Sequence, residues 1–148
     1  MKTFAGYINL KPINGVIFPS YAQNQMNKDF IVNKLQGQFF LATNENTYGK
    51  NNIVLISLIK EKVISGIVII STFSLPDSYE DRLNIYNLTI KYKKKLFFIF
   101  EELTLKNKKD ISTIEDSLIY RSQFFTHKKT ALTSEEKLSF IDPSWNLV

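Results

Sequence analysis

Apolar residues in this chain gather into short unbroken runs, and between the runs they recur every three or four positions among polar ones. That alternation predicts strands and helices in turn. The clearest run is Val63 to Ile70, interrupted only by Ser65 and Gly66. It is rich in β-branched residues and too short for an ordinary helix, the pattern of a strand buried on both faces in the middle of a parallel sheet. The run breaks into Ser71-Thr72-Phe73-Ser74-Leu75-Pro76, where Pro76 cannot continue the ladder and Asp77 or Ser78 can cap a following helix. That helix carries Tyr79, Leu83, Tyr86 and Ile90 on one stripe, with Glu80, Asp81, Lys91 and Lys93 elsewhere.

The same reading extends along the chain. Phe4 to Leu10 is a first strand, Gln38 to Thr43 a second, and Leu96 to Phe100 a fourth. Lys11 to Pro19 is a loop turning at Asn14-Gly15. Ser20 caps a helix to about Leu35 with Ala22, Met26 and Phe30 inward, closed by Gln36-Gly37. A helix opening at Lys50 or Asn51 and ending near Lys62 is apolar on more than one side. Residues 103–109 read as a basic connection, and Asp110 begins a last helix through about Phe124, with Ile111, Ile114 and Leu118 inside.

Strands alternating with helices in this way predict an α/β sandwich of flavodoxin-like or Rossmann-like type, with four parallel strands in order 2-1-3-4 and helices on both faces. The domain is expected to occupy residues 1–125. Residues 126–148 form a tail packed on the domain or on a neighbouring subunit, with a capping box at Thr133 and Glu136 and Trp145 as its anchor.

Composition narrows the function classes. With 148 residues, 44% of them hydrophobic and 22% charged, the chain has enough apolar material for one core. The absence of cysteine excludes disulfides, thiol nucleophiles and cysteine-based zinc sites. MKTFAGYINLKP lacks the apolar core of a secretory signal, and no run approaches the roughly 18 apolar residues of a membrane span. A soluble cytoplasmic protein, forming a homo-oligomer, is expected. The net charge of +5 attracts anions. Lys93-Lys94-Lys95, Lys106, Lys108-Lys109 and Lys128-Lys129 flank predicted elements and read as solvated ends. Arginines number only two, Arg82 and Arg121, and a nucleic-acid surface would carry more of them among exposed aromatics, so no nucleic-acid partner is expected.

In such a sandwich the ligand sits at the carboxyl ends of the strands, where Asn9, Lys11, Asn44, Glu45, Ser71, Ser74, Glu101 and Glu102 emerge and where Ser20, Gln23, Asn24 and Asp77 open helices. Helix N-termini on that side favour an anionic group, and Lys11 adds charge. Glu101 ends a wholly apolar strand, a place where partial desolvation tunes a carboxyl for acid, base or nucleophile work. Ser71 and Ser74 act as hydrogen-bond donors, because the one histidine, His127, lies in the tail as an exposed residue. The chain has no Gly-rich phosphate loop, no GxGxxG, no GxSxG and no paired metal-ligand spacing, so neither cofactor nor metal is expected.

Two resemblances bear on function. GYINLKPINGVIFPSYAQN, LATNENTY, SGIVIISTFSLPDSYEDR, FIFEEL and STIEDSLIYR, in that order, resemble the sporadic carbohydrate cluster proteins, small proteins encoded among genes for surface polysaccharide or lipopolysaccharide. The matching positions include Gly6-Tyr7, Pro12, Gln23-Asn24, Glu45, Ser71, Leu75-Pro76, Arg82, Glu101, Glu115 and Arg121. The chain departs from that pattern with Lys11 in place of an arginine and with Asn44 before Glu45. The resemblance implies a role in surface-glycan biosynthesis and adds Tyr7 and Arg121 to the candidate residues. A weaker likeness, in a GY strand, a Gln-bearing first helix and a strand before an Arg-containing helix, is to the catalytic domain of serine recombinases. Those enzymes use a serine just after the first strand and several arginines, where this chain has Asn9, Lys11 and Pro12, so that likeness implies fold alone.

Together these readings predict an enzyme acting on a phosphorylated or nucleotide-activated sugar. Glu101, Ser71 and Glu45 are its catalytic candidates, and Tyr7, Asn9, Lys11, Gln23, Asn24, Ser74, Arg82 and Arg121 its substrate-binding ones. The alternative is a non-catalytic scaffold of a carbohydrate biosynthesis cluster.

Overall fold

The computed structural model describes residues 1–45 and 52–131, with side chains described through Tyr120. Five strands, β1 (Thr3–Gly6), β2 (Gln38–Leu41), β3 (Gly66–Ile69), β4 (Lys95–Phe98) and β5 (Leu103–Leu105), form one sheet in the order β2-β1-β3-β4-β5. β1 to β4 are mutually parallel, and β5 runs antiparallel to β4. The expected order 2-1-3-4 is therefore present, with one strand more. β5 lies in the stretch read as a basic connection; three residues are too few to show a period, and the chain reverses into them through Ile99 to Glu102, the last at φ 56°.

Three α-helices connect the strands, α1 (Ser20–Asp29), continued by a wider π-turn at Phe30–Lys34, α2 (Ile53–Lys60) and α3 (Tyr79–Lys91), and α4 (Lys108–Ala131) follows β5. The right-handed rule for crossovers between parallel strands puts α1 on one face and α2 and α3 on the other, and α2 and α3 pack together. On the α1 face, Phe4 and Val68 of the strands meet Ile31, with Phe39 and Phe97 beside them. The intervening positions Ala5, Ile67, Ile69, Leu96 and Phe98 point to the opposite face and are also buried. Burial on both faces is what makes β3 an unbroken apolar run.

Two helices differ in phase from the sequence pattern, and a third in its bounds. In α1 the buried residues are Gln23 and Asn27, followed by Ile31 in the π-turn, one position on from Ala22, Met26 and Phe30. The inner face is polar there because it hydrogen-bonds the backbone beyond β1. In α3 the buried residues are Ile85, Tyr86 and Thr89, and Tyr79 stays exposed. α4 starts two residues earlier than Asp110 and runs past Phe124. Met1–Glu115 forms one compact unit, and a second begins at Asp116. The capping box at Thr133 and Glu136, and Trp145, lie outside the described residues, as does the side chain of His127.

Asn14 (φ 53°) and Gly15 (φ 81°) make the expected tight turn, closed by paired backbone bonds between Ile13 and Val16. Gly37 has a different task from the one its position suggests. Gln36 (φ 52°) takes the left-handed conformation, while a Cβ on Gly37 would stand 2.5 Å from the Phe4 ring and 3.0 Å from the Lys2 carbonyl oxygen. Gly37→Ala is expected to displace a buried core ring and cost about 1–3 kcal/mol, read as a lower denaturant midpoint with unchanged slope.

Candidate functional site

The rim at the carboxyl ends of β1 to β4 gathers most of the sequence-predicted residues into hydrogen-bonded groups. Asn9, fully buried beyond β1, is the hub of one. Its Nδ2 donates to the Ser74 carbonyl oxygen at 2.9 Å and to the Tyr7 hydroxyl at 3.4 Å, and its Oδ1 accepts from the Lys11 backbone N–H. Gln23 Nε2 donates to the carbonyl oxygens of Asn9 (2.6 Å) and Phe18 (2.8 Å), and Asn27 Nδ2 donates to that of Tyr7. The polar side of α1 thus serves carbonyl oxygens of the backbone that follows β1.

The Tyr7 hydroxyl donates in turn to Glu45 Oε2 at 2.9 Å. Glu45 also accepts from the backbone N–H of Val54 (3.1 Å) and Leu55 (3.3 Å), so its carboxylate caps α2 from outside the helix. Asn52, at the usual capping position, makes no such bond. Burial pushes the Tyr7 phenol far above its ordinary pKa; the Asn9 bond opposes this and the Glu45 charge reinforces it. Tyr7 therefore stays a neutral donor.

Glu101 and Ser71 do meet, as strand-end placement predicts. Ser71 Oγ donates to Glu101 Oε2 at 2.6 Å, and Thr72 donates to the same carboxylate from its backbone N–H and its hydroxyl, both at 3.0 Å. Ser71 Oγ accepts from Phe73 N–H in the 3₁₀ turn Thr72–Ser74. The carboxylate so anchors the turn after β3 to the end of β4. Ser71 is fully buried.

A third group closes the α3 side. Arg82 binds Glu115 through two parallel bonds of 2.8 Å and donates to the carbonyl oxygens of Pro76 and Asp77. The buried Tyr86 hydroxyl donates to Glu115 at 2.5 Å. Burial alone would raise the Glu115 pKa, but the Arg82 bonds, the Tyr86 bond and the Arg82 charge together hold it below the usual carboxylate range. Lys11 donates to the Leu75 carbonyl oxygen and pairs with Asp77 at 2.7 Å. Asn24 Oδ1 and Ser74 Oγ are buried without a partner, and the Arg121 side chain lies outside the described residues. Asn27, Thr72 and Tyr86 belong to these groups and were not among the predicted site residues. The four-residue spacing of Gln23 and Asn27 was the available signal for Asn27. Two described clefts, of about 400 and 310 Å³, are lined by other residues.

No protein-family model matches the chain, and no curated protein does. Among solved structures it is similar to the N-terminal catalytic domain of TP901-1 integrase, at 14% identity and a TM-score of 0.58, covering 88% of this chain and all of that one. It is also similar to a resolvase-family site-specific recombinase from Streptococcus pneumoniae, at 8% identity and a TM-score of 0.58, covering 88% and 94%. The recombinase-like fold anticipated from the weaker resemblance is thus present.

These neighbours overturn the expectation of a sugar-modifying enzyme or scaffold of surface-glycan biosynthesis, and with it the expectation that nucleic acid is no partner. The physical reason is visible in the motif residues, which serve the fold. A Cβ on Gly6 would meet Asn27 Cβ at 2.9 Å, Tyr7 holds Glu45, Arg82 holds Glu115, and Glu101 holds the turn at Ser71. Of the residues assigned to substrate binding, Tyr7, Asn9, Lys11, Gln23 and Arg82 are occupied by bonds within the protein. Among the described residues, no helix is long and apolar enough to cross a membrane.

Proposed function

We propose that this chain acts on DNA as a recombinase-type domain whose part is to engage the duplex rather than to cut it. The carrying observation is the correspondence of its fold, over 88% of the chain, with the catalytic domain of an integrase and with a site-specific recombinase. A net charge of +5 supports a polyanionic partner. Engagement without cutting follows from how the rim is spent. Attack of a hydroxyl on a phosphodiester builds charge on the phosphoryl oxygens, which donors aimed at them must stabilise. Arg82 instead gives Nε and both terminal nitrogens to protein oxygens, and Lys11 is tied to Leu75 and Asp77. Ser71 is buried against Glu101, beyond the reach of a duplex.

Supercoiled plasmid mixed with the protein is expected to be retarded on a native gel and to run unnicked once the protein is stripped away. Failure to retard any duplex contradicts the DNA reading. A detergent-resistant protein–DNA adduct contradicts the non-cutting half; loss of the adduct in Ser20→Ala would then identify the half-buried hydroxyl at the start of α1 as the nucleophile.

A further inference from the structure

Topology gathers a set of lysines without ion-pair partners onto one edge of this sheet, whereas Lys11 and Arg82 at the opposite rim are paired with Asp77 and Glu115. The parallel strands all begin at one edge, the helices α2 and α3 return to it, and antiparallel β5 delivers its own end there. Lys60 and Lys62 close α2, Lys93 and Lys95 link α3 to β4, and Lys106 and Lys108 link β5 to α4. The pairing of Leu96 with Leu105 sets Lys95 beside Lys106. All six are exposed, and among the described residues none of their ammonium groups makes an ion pair. The carboxylates described on this edge are Glu61 and Asp110, and Asp110 Oδ2 is occupied by the backbone N–H of Lys106 (2.8 Å) and Asn107 (3.1 Å). Glu45, Asp77, Glu101 and Glu102 all stand at the other end of the strands.

We infer that this amino-end edge is the surface that meets the DNA backbone, an assignment that rests on the DNA-directed reading above. Helix electrostatics account for Lys60, because a cation is favoured at a helix C-terminus. They oppose Lys106 and Lys108, which stand at the amino end of α4, where positive charge is disfavoured. Charge placed against the helix dipole is explained by an anion outside the molecule. The base is also rigid: the buried Lys94 ammonium donates to the carbonyl oxygens of Glu61 (2.6 Å) and Ile64, fastening the loop that carries Lys93 and Lys95 to the end of α2. From β1 to β5 the edge spans three strand spacings, about 14 Å. Duplex DNA carries one charge per about 1.7 Å of axis with both strands counted, so the length of duplex along this edge holds on the order of eight phosphates, and the edge meets those on the near side. Lysine is a point charge on a flexible stem, suited to backbone contact without base readout.

The test is fluorescence anisotropy of the full chain with a labelled duplex of about 20 base pairs, at several salt concentrations. Its main variant combines Lys62→Gln, Lys95→Gln, Lys106→Gln and Lys108→Gln. That variant is expected to keep or raise the melting temperature, to bind at least tenfold more weakly, and to lose about three units of the salt slope. Lys28→Gln, on the exposed side of α1, is expected to bind as the wild type does. Undiminished binding by the fourfold variant overturns this assignment and leaves the DNA reading standing, whereas absence of binding by the wild type overturns both. Preference for polyglutamate over duplex DNA would give the edge to an acidic protein and also overturn the assignment.

Discussion

Glu115→Ala is expected to destabilise the protein by about 3 kcal/mol, the cost of leaving a mostly buried charge without its partner. Three donors lose their acceptor at once: Nε and a terminal nitrogen of Arg82, and the Tyr86 hydroxyl. The side chains of Arg82 and Glu115 are only 14% and 11% exposed, so water replaces the carboxylate poorly. Arg82 keeps its bonds to Pro76 and Asp77, which holds the loss toward the lower end of the range for broken buried pairs. Chemical denaturation measures the effect, and pairing Glu115→Leu with Arg82→Met should recover part of it by removing both charges.

The same group sets a pH dependence. The folded pKa of Glu115 is depressed relative to its unfolded value. Its contribution is therefore complete above the unfolded value of about 4.3 and is lost as pH falls through the lower folded one. The wild type should lose stability over that acid window faster than Glu115→Ala does, and parallel acid limbs would contradict the assignment.

Glu45→Ala is expected to cost about 2–4 kcal/mol, combining the loss of a helix cap with an orphaned buried donor. Glu45 lies nine residues before Val54 and yet receives its N–H and that of Leu55, while its other contact is the hydroxyl of Tyr7 from β1's extension. One carboxylate thus joins the first strand to the second helix. Adding Tyr7→Phe to Glu45→Ala should return about 1 kcal/mol, because the unpaired hydroxyl goes with it. A double variant no more stable than Glu45→Ala would place the main cost at the helix start.

The sheet was legible in the sequence where burial was uniform. Within the apolar run Val63 to Ile70, the stretch Gly66–Ile69 reads as a central strand because both of its faces are covered, while Val63 before it is exposed; the strand-end rule also sets Glu101 beside Ser71. Legibility failed where polar residues face inward. Gln23 and Asn27 are the inner side of α1, so a search for apolar stripes settles on Ala22, Met26 and Phe30, one position away. β5 escaped because three residues show no period, and the pairs Tyr7–Glu45 and Arg82–Glu115 escaped because pairing depends on distances between stretches far apart in the chain. The sugar reading failed for a related reason. The short motifs that suggest chemistry hold residues that cap a helix, admit a close strand–helix contact or anchor a turn.

The most direct measurement of the central claim is the dissociation constant of the wild-type chain for a duplex of arbitrary sequence, plotted logarithmically against salt. Binding that weakens with a slope of magnitude about 3 or more, and that is indifferent to base sequence, is the result expected of a lysine edge seated on phosphates. Binding that does not respond to salt, or no binding at low salt, would contradict it.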